Sequence, residues 1–152
     1  QVVGLVLIYQ LGIPTTGSPI LDPPLWVSMG QNIYGKVQDE WLGRSISLSS
    51  DGLIVAIGGG FSLAPGKYSK DNPDNNHGDV GHVRVYNFNG TYWNQVGSDL
   101  KGLAENDLFG HSLDLSSDGT ILAIGAHLHD SPDLHDSPAS NSGHVRIFKW
   151  NG

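Results

Sequence analysis

The chain has 152 residues, no cysteine and a formal net charge of −7, with only eight Lys and Arg. The lack of cysteine excludes disulfides, thiolate metal sites and a cysteine nucleophile. The shortage of basic residues argues against binding to nucleic acid or to an anionic membrane. The longest apolar run, near residues 2–11, is too short to cross a bilayer, so we expect no membrane insertion.

The first third of the chain predicts two strands. One is the apolar segment Gly4–Tyr9, and the other surrounds Trp26. The residues between them, 10–24, include four prolines, which indicate a long turn.

A strand, a tight turn and a second strand are predicted next. Ile46 and Leu48 alternate with polar residues, which is typical of a half-buried strand. The tetrad Ser-Ser-Asp-Gly at 49–52 predicts a hairpin, because Asp-Gly favours positive φ. Residues 53–58 are continuously apolar, which favours a strand covered on both faces. A polar loop follows at residues 61–79.

A second hairpin completes the unit. Residues 81–88 predict a strand, Asn89-Gly90 predicts a turn, and residues 91–96 predict the returning strand. No segment shows the period of an amphipathic helix. Asn89 also begins the only N-glycosylation sequon, and its predicted exposed turn makes it the candidate glycosylation site of a secreted protein.

This pattern of strands then repeats. Residues 26–62 align without a gap with residues 93–129, and residues 81–86 align with 143–148. The first pair of segments is offset by 67 positions and the second by 62. The offset decreases because the polar loop at residues 61–79 corresponds to a shorter loop at residues 128–142. A weaker copy of the second block opens the chain at Gly4–Tyr9. A repeat unit cannot bury its apolar face alone, so the chain is predicted to belong to an array.

The predicted fold is all-β, with four antiparallel strands per unit, as in the blades of a β-propeller. We expect the outer strands of a first blade in residues 1–36, a complete second blade in 37–103 and an incomplete third blade in 104–152. About two blades with flanking strands form only part of a propeller ring. The edge strands at each end should therefore recruit the rest of a longer repeat polypeptide or other protein chains.

Several motifs are similar to those of a known family. Asp-Leu-Phe-Gly-His-Ser at 107–112, Ser-Asp-Gly at 117–119, Ala-Ile-Gly-Ala at 123–126 and Gly-His-Val-Arg-Ile-Phe at 143–148 resemble the FG-GAP repeats of integrin-α-like propellers. The resemblance covers nearly the whole chain. It implies a propeller that binds protein or glycan ligands on one face, in an adhesive assembly that is extracellular or at the cell surface.

Two polar segments contain candidate metal ligands. His127 and His129 are two residues apart and would share one face of a strand, as a chelating pair does. Asp74, Asn76 and Asp79 loosely resemble a calcium loop. The alternative interpretation is that both segments are solvent-exposed loops that bind no metal. We therefore predict no cofactor, with calcium as the alternative.

Residues that recur in both copies are predicted to serve the architecture rather than catalysis. Arginines in mid-strand should face out or pair with an acidic neighbour, and tryptophans should pack between adjacent blades. The recurring pairs are His82 and His144, Arg84 and Arg146, and Trp26 and Trp93.

The predicted function is a non-catalytic, structural or adhesive one. Contacts should come from the loops at 61–79 and 128–142, with Trp150 and His135 as candidate residues for glycan or protein binding. One alternative is a lectin whose Trp93 or Trp150 stacks on sugars. The other is a hydrolase in the axial channel, where Asp114 and His111 are ionisable residues without a repeated counterpart.

Overall fold

The computed structural model describes residues 4–11, 26–37, 40–60, 80–104, 107–130 and 141–152. These residues form eleven short strands and no helix, so the predicted all-β class is confirmed. Among the same residues there is also no helix long and apolar enough to cross a membrane. All strand pairs are antiparallel, and no sheet closes into a barrel.

The first four strands form one interrupted hairpin, which we call the first hairpin. Its strands are β1 (Leu5–Val6), β2 (Tyr9–Leu11), β3 (Trp26–Ser28) and β4 (Ile33–Tyr34). Strand β1 pairs with β4 and β2 pairs with β3. The Met29 N–H donates to the Ile8 carbonyl oxygen at 2.7 Å and links the two pairs.

The next four strands form the middle sheet, in the order β5-β6-β7-β8. They are β5 (Ser45–Leu48), β6 (Ile54–Gly59), β7 (His82–Phe88) and β8 (Trp93–Lys101). The last three form the third sheet, in the order β11-β10-β9. They are β9 (Ser112–Leu115), β10 (Ile121–Ala126) and β11 (His144–Lys149).

The Ser-Ser-Asp-Gly turn owes its shape to local hydrogen bonds. The Asp51 carboxylate accepts from the Ser49 hydroxyl at 2.6 Å and from the Leu53 N–H at 2.9 Å, while Gly52 adopts φ of +71°. Asp118 makes the matching bonds in the second copy, to the Ser116 hydroxyl and the Thr120 N–H. Both carboxylates thus stabilise tight hairpins, as the sequence predicts.

Two apolar cores lie on opposite faces of the middle sheet. The first core joins it to the first hairpin and contains Val6, Ile33, Leu42, Val55, Ile57, Tyr86 and Trp93. The second core joins it to the third sheet and contains Ala56, Val83, Phe109, Leu115, Leu122, Ile124 and Ala126. The middle sheet is therefore covered on both faces, which accounts for the continuous apolar sequence of β6.

Strand β10, the equivalent strand of the third sheet, has the same apolar pattern but is covered on only one face within the part of the chain that the structure describes. Leu122, Ile124 and Ala126 are buried against the middle sheet, but Ile121 on the other face is 44% exposed. Only one face of β10 has a neighbour among the described residues. Strands β6 and β10 have the same apolar pattern although their surroundings differ. The pattern shows which faces of a strand can be buried, but not whether another sheet covers them.

The first strands of the middle and third sheets lie side by side. The Ser45 hydroxyl donates to the Gly110 carbonyl oxygen at 2.5 Å, and the Leu115 N–H donates to the Ser47 hydroxyl oxygen at 3.1 Å. The Ser50 N–H donates to the Ser117 carbonyl oxygen at 2.9 Å. The serines of β5 thus form polar links between sheets.

Close backbone approach explains the glycine that opens two of the three copies of the second block, Gly4 and Gly81. Gly81 pairs with Phe109 in a parallel bridge, and a Cβ on Gly81 would lie 2.1 Å from the Phe109 carbonyl oxygen. Gly4 meets Leu42 in the same way, again at 2.1 Å. Leu42 and Phe109 are 67 positions apart, so both inter-sheet junctions use the same contact, which a side chain would block.

Candidate functional site

Equivalent valines show how each sheet meets the next. Val6 in the first hairpin is 3% exposed and Val83 in the middle sheet is 0% exposed, because each faces a following sheet. Val145 occupies the matching position of the third sheet and is 67% exposed. Together with Ile121 and Ile147, it forms an uncovered apolar surface, which we call the C-terminal face.

The opposite end of the molecule has an uncovered apolar surface too. Leu5, Leu7 and Tyr9 alternate with the buried Val6, and each is more than 40% exposed. Trp26 lies on the same hairpin and is 70% exposed. We call these four residues the N-terminal face.

Trp93 is buried where its counterpart Trp26 is not. It is 3% exposed, and its ring centroid lies 5.1 Å from that of Phe88. Its indole N–H donates to the Met29 carbonyl oxygen at 2.8 Å, and its backbone N–H donates to Gln31 Oε1 at 2.8 Å. Trp93 therefore packs between the first hairpin and the middle sheet, as predicted, and its ring is not available to stack on a sugar.

A cavity of about 570 Å³ lies at the equivalent point of the next junction, between β8 and β11. Its walls include Val96, Gly97 and Ser98, which are 67 positions after the residues that enclose Trp93. Trp150 also lines it and aligns with Phe88. We call this space the β8–β11 cavity. It corresponds to the place that Trp93 fills at the first junction.

The first junction also contains a buried ionic cluster centred on Glu40, which is 1% exposed. Glu40 Oε1 lies 2.5 Å from Arg84 Nη1 and 2.9 Å from His82 Nε2, and Oε2 accepts from the Lys36 and Val37 N–H groups. Arg84 Nε donates to Asp99 Oδ2 at 2.9 Å. Arg84 thus pairs with an acidic residue on the neighbouring strand, as the sequence predicts.

Partners outweigh burial in the ionisation of the two carboxylates of this cluster, and burial prevails at its histidine. Burial opposes the charge on Glu40, but the Val37 N–H and the Arg84 guanidinium hold the pKa of the carboxyl below its usual value. Burial is likewise overcome at Asp99, where bonds from Gln95, Lys36 and Arg84 hold the pKa well below its ordinary range. Burial and the adjacent Arg84 charge lower the pKa of His82, against the pull of Glu40.

The second junction places Asp107 where the first has Glu40, and its contacts differ. Asp107 Oδ2 accepts from the Leu103 and Ala104 N–H groups at 3.2 and 2.9 Å, which matches Glu40 Oε2. Asp107 Oδ1, however, lies 2.9 Å from His129 Nδ1. The aspartate is one methylene shorter than glutamate. The equivalent arginine does not meet it but donates to the Lys101 carbonyl oxygen at 2.8 Å.

His144 completes the second junction. Its ring centroid lies 4.1 Å from that of His129, and an oxygen or nitrogen of each of Asp107, His129 and His144 lies within 4.8 Å of the others. Burial, followed by the field of His129, lowers the pKa of His144. We call these three residues the Asp107 cluster. They form a set of two imidazoles and one carboxylate, a composition that suits a metal ion.

The structure separates the two histidines that the sequence predicts as a chelating pair. His129 joins the Asp107 cluster, whereas the His127 ring lies 4.3 Å, between centroids, from that of His111. Both histidines follow β10 rather than lying within a strand, so strand alternation does not apply to them. Sequence reasoning missed Asp107 and Glu40. Their position, three residues before a repeated glycine in each copy, was the available signal.

Other predicted site residues have varied locations. Asp74, Asn76, Asp79 and His135 lie outside the described residues, as do most of the two loops proposed as a contact surface. Trp150 is 50% exposed at the cavity mouth. Asn89 is exposed at a hairpin turn, where its side-chain oxygen accepts from the Thr91 and Tyr92 N–H groups.

The residues considered for hydrolysis do not form a nucleophile and base pair in the part of the chain that the structure describes. Asp114 is exposed and accepts from the Ser47 hydroxyl at 3.5 Å, while His111 contacts His127.

Comparison with protein-family models and with curated proteins gives no match for this chain. Its function therefore has to be inferred from its own residues.

Proposed function

We propose that this chain is a non-catalytic, structural or adhesive segment of a β-propeller of the FG-GAP type, and that it acts through protein contacts at its two ends. The observation that carries the proposal is the burial of equivalent valines. Val6 and Val83 are covered by the following sheet, whereas Val145 is exposed. Two junctions of the same design thus stack three units in one direction, and both end faces remain available for further units.

The β8–β11 cavity supports the same proposal with a more specific partner. At the first junction, the equivalent space is filled by Trp93, which lies on the fourth strand of the middle sheet. Strand β11 has a free edge among the described residues, since it pairs only with β10. A fourth strand added to β11 would place its own tryptophan in the cavity, which is β-strand addition with an aromatic anchor.

A synthetic peptide with the sequence of residues 91–101 tests this proposal. The peptide copies the strand that carries Trp93, and we expect it to bind the chain with one-to-one stoichiometry in isothermal titration calorimetry. The matched control is the same peptide with alanine in place of tryptophan, which should bind at least about tenfold more weakly, because an aromatic anchor dominates such contacts. The proposal would be contradicted if the two peptides bound with equal affinity, or if neither peptide bound to the folded chain.

A lectin is the alternative outcome at the same cavity. Trp150 lies at its mouth with half of its surface exposed, which is suitable for stacking on a sugar. A glycan that binds the chain, competes with the peptide and loses affinity in Trp150→Ala would assign the cavity to glycan binding instead. Retained peptide affinity without any glycan binding would favour the structural function.

The extracellular or cell-surface location proposed here is supported by the accessibility of Asn89. Its exposed hairpin turn is compatible with an attached oligosaccharide. Expression through the secretory pathway of a eukaryotic cell should add a glycan that mass spectrometry detects on the wild type and not on Asn89→Gln. A secreted chain without a glycan at this position would remove this support.

A further inference from the structure

The Asp107 cluster differs from its counterpart in the first copy in the type of interaction that it can make. Glu40 forms a direct ion pair with Arg84, and its Oε1 also lies 2.9 Å from His82 Nε2. In the second copy, Arg146 stacks on two aromatic rings, 5.2 Å from the Phe109 centroid and 4.9 Å from the Phe148 centroid. The imidazole of His129 therefore lies at the carboxylate in the place that the guanidinium of Arg84 takes in the first copy.

His144 provides an independent observation. Neither of its ring nitrogens has a hydrogen-bond partner, although both atoms are shielded from solvent. A buried polar atom without a partner is unfavourable, so native proteins rarely keep one without a function. At the equivalent His82, Nε2 is shielded from solvent and also lacks a hydrogen bond of good geometry, but it lies 2.9 Å from Glu40 Oε1, whereas at His144 both ring nitrogens are without a partner. The ring of His144 is instead directed to the neighbourhood of His129 and Asp107.

The carboxylate of this cluster is held in place by backbone groups. Asp107 is 1% exposed, and its Oδ2 accepts two N–H bonds from residues 103 and 104, which leaves Oδ1 toward the histidines. The backbone of His129 is held as well, because its carbonyl oxygen accepts from the Gly143 N–H at 3.0 Å. Such supporting bonds orient metal ligands and raise affinity.

We propose that Asp107, His129 and His144 bind one divalent transition-metal ion, with Zn²⁺ as the preferred species. Two imidazoles and one carboxylate suit zinc better than calcium, which takes oxygen ligands almost exclusively. The three ligand atoms lie within 4.8 Å of one another. Ligand atoms around tetrahedral zinc are about 3.4 Å apart, so side-chain shifts of about 1 Å bring them into range.

The bound ion gives the repeat a metal clamp at this junction. Asp107 lies just before Phe109, which belongs to the second core, and His144 begins β11. The ion joins these two segments, as the ion pair between Glu40 and Arg84 joins the loop at residue 40 to β7. The fourth coordination position stays open to water, because the described chain supplies three ligands.

Metal titration of the full chain tests this assignment. After treatment with EDTA, the chain is titrated with Zn²⁺ by calorimetry and with Co²⁺ by visible absorption. The wild type should bind one ion in this site, and Co²⁺ should give the intense bands of a four-coordinate site. His144→Phe and Asp107→Asn should each weaken binding by at least about tenfold, since even supporting partners of metal ligands change affinity on that scale.

The matched control is His127→Phe, which removes an imidazole two residues from His129 but outside the cluster. This variant should bind the ion as the wild type does. His144→Phe should be nearly as stable as the wild type without metal, because the ring that it replaces makes no hydrogen bonds. A loss of metal binding in this variant can therefore be distinguished from a loss of folding. Binding that survives both His144→Phe and Asp107→Asn would overturn the proposal, and so would the absence of binding to the folded wild type.

Discussion

The middle and third sheets have nearly the same sequence pattern and opposite surroundings. Strand β7 carries Val83 at 0% exposure, and strand β11 carries the equivalent Val145 at 67%. Among the residues that the structure describes, the middle sheet lies between two neighbours, whereas the third sheet packs on one. The difference shows that the repeat sequence gives a sheet an apolar surface on both of its faces. Whether such a surface is buried depends on whether another unit packs against it.

The polar residues at the two junctions differ in a second way. At the first junction, a buried glutamate and arginine satisfy each other directly. At the second, the shorter Asp107 meets a histidine, and the arginine stacks on aromatic rings. Equivalent positions thus make different contacts at the two junctions, where both the length of the acidic side chain and the presence of a histidine at residue 129 differ.

The largest difference between equivalent sites should come from the tryptophans. Trp93→Ala removes a buried indole and should lower the free energy of unfolding by about 3–5 kcal/mol. Trp26→Ala removes an exposed ring and should change it by less than about 0.5 kcal/mol. Urea unfolding followed by circular dichroism measures both. Similar losses in the two variants would mean that the N-terminal face is covered in solution.

Neutralising the two equivalent carboxylates should separate the junctions next. Glu40→Gln leaves part of a buried ion pair without its partner and should cost about 3 kcal/mol. Asp107 lies beside a histidine rather than a buried arginine. Asp107→Asn should therefore lower the free energy of unfolding by less in metal-free buffer. The measurement is the denaturant midpoint at neutral pH with EDTA present. A larger loss for Asp107→Asn would invalidate the contrast drawn between the clusters.

Shortening the equivalent valines gives a third, smaller contrast. Val83→Ala removes two buried methyl groups and should cost about 2 kcal/mol, whereas Val145→Ala should be close to neutral. Differential scanning calorimetry at low protein concentration measures both. If Val145→Ala also becomes destabilising as the protein concentration rises, the C-terminal face is covered by self-association.

The smallest expected effect is the dependence of stability on acid. The pKa values of Glu40 and Asp99 in the folded state lie below the ordinary 4.5 and 3.8. Their stabilisation is therefore complete above these values and is lost as the pH falls through them toward the folded-state pKa. Urea midpoints measured from neutral pH down to about pH 3 should fall less steeply for Asp99→Asn than for wild type. Asp114→Asn, at an exposed position, is the control and should keep the wild-type slope.

The local chemistry of the chain could be predicted from sequence. Alternation at Ile46 and Leu48, the Asp-Gly turns and the Asn89-Gly90 hairpin predict strands and turns that the structure contains. The internal repeat also predicts that the recurring tryptophans pack between units, which is confirmed for Trp93 and not for Trp26, and that the recurring arginines face out or pair with an acidic neighbour, which Arg84 does. These features depend on neighbours in sequence or on the period of the repeat, so one chain is enough to reveal them.

Other features depended on distances in space, and sequence could not supply them. His129 joins Asp107 and His144, which are 22 residues before it and 15 after it, rather than His127 two residues away. Whether β10 is covered on one face or two likewise depends on how many sheets stack beside it. The sequence by itself determined an all-β repeat with apolar faces, because side-chain periodicity is local. Only the tertiary structure decided which faces are buried and which polar groups meet, because these outcomes depend on packing between distant segments.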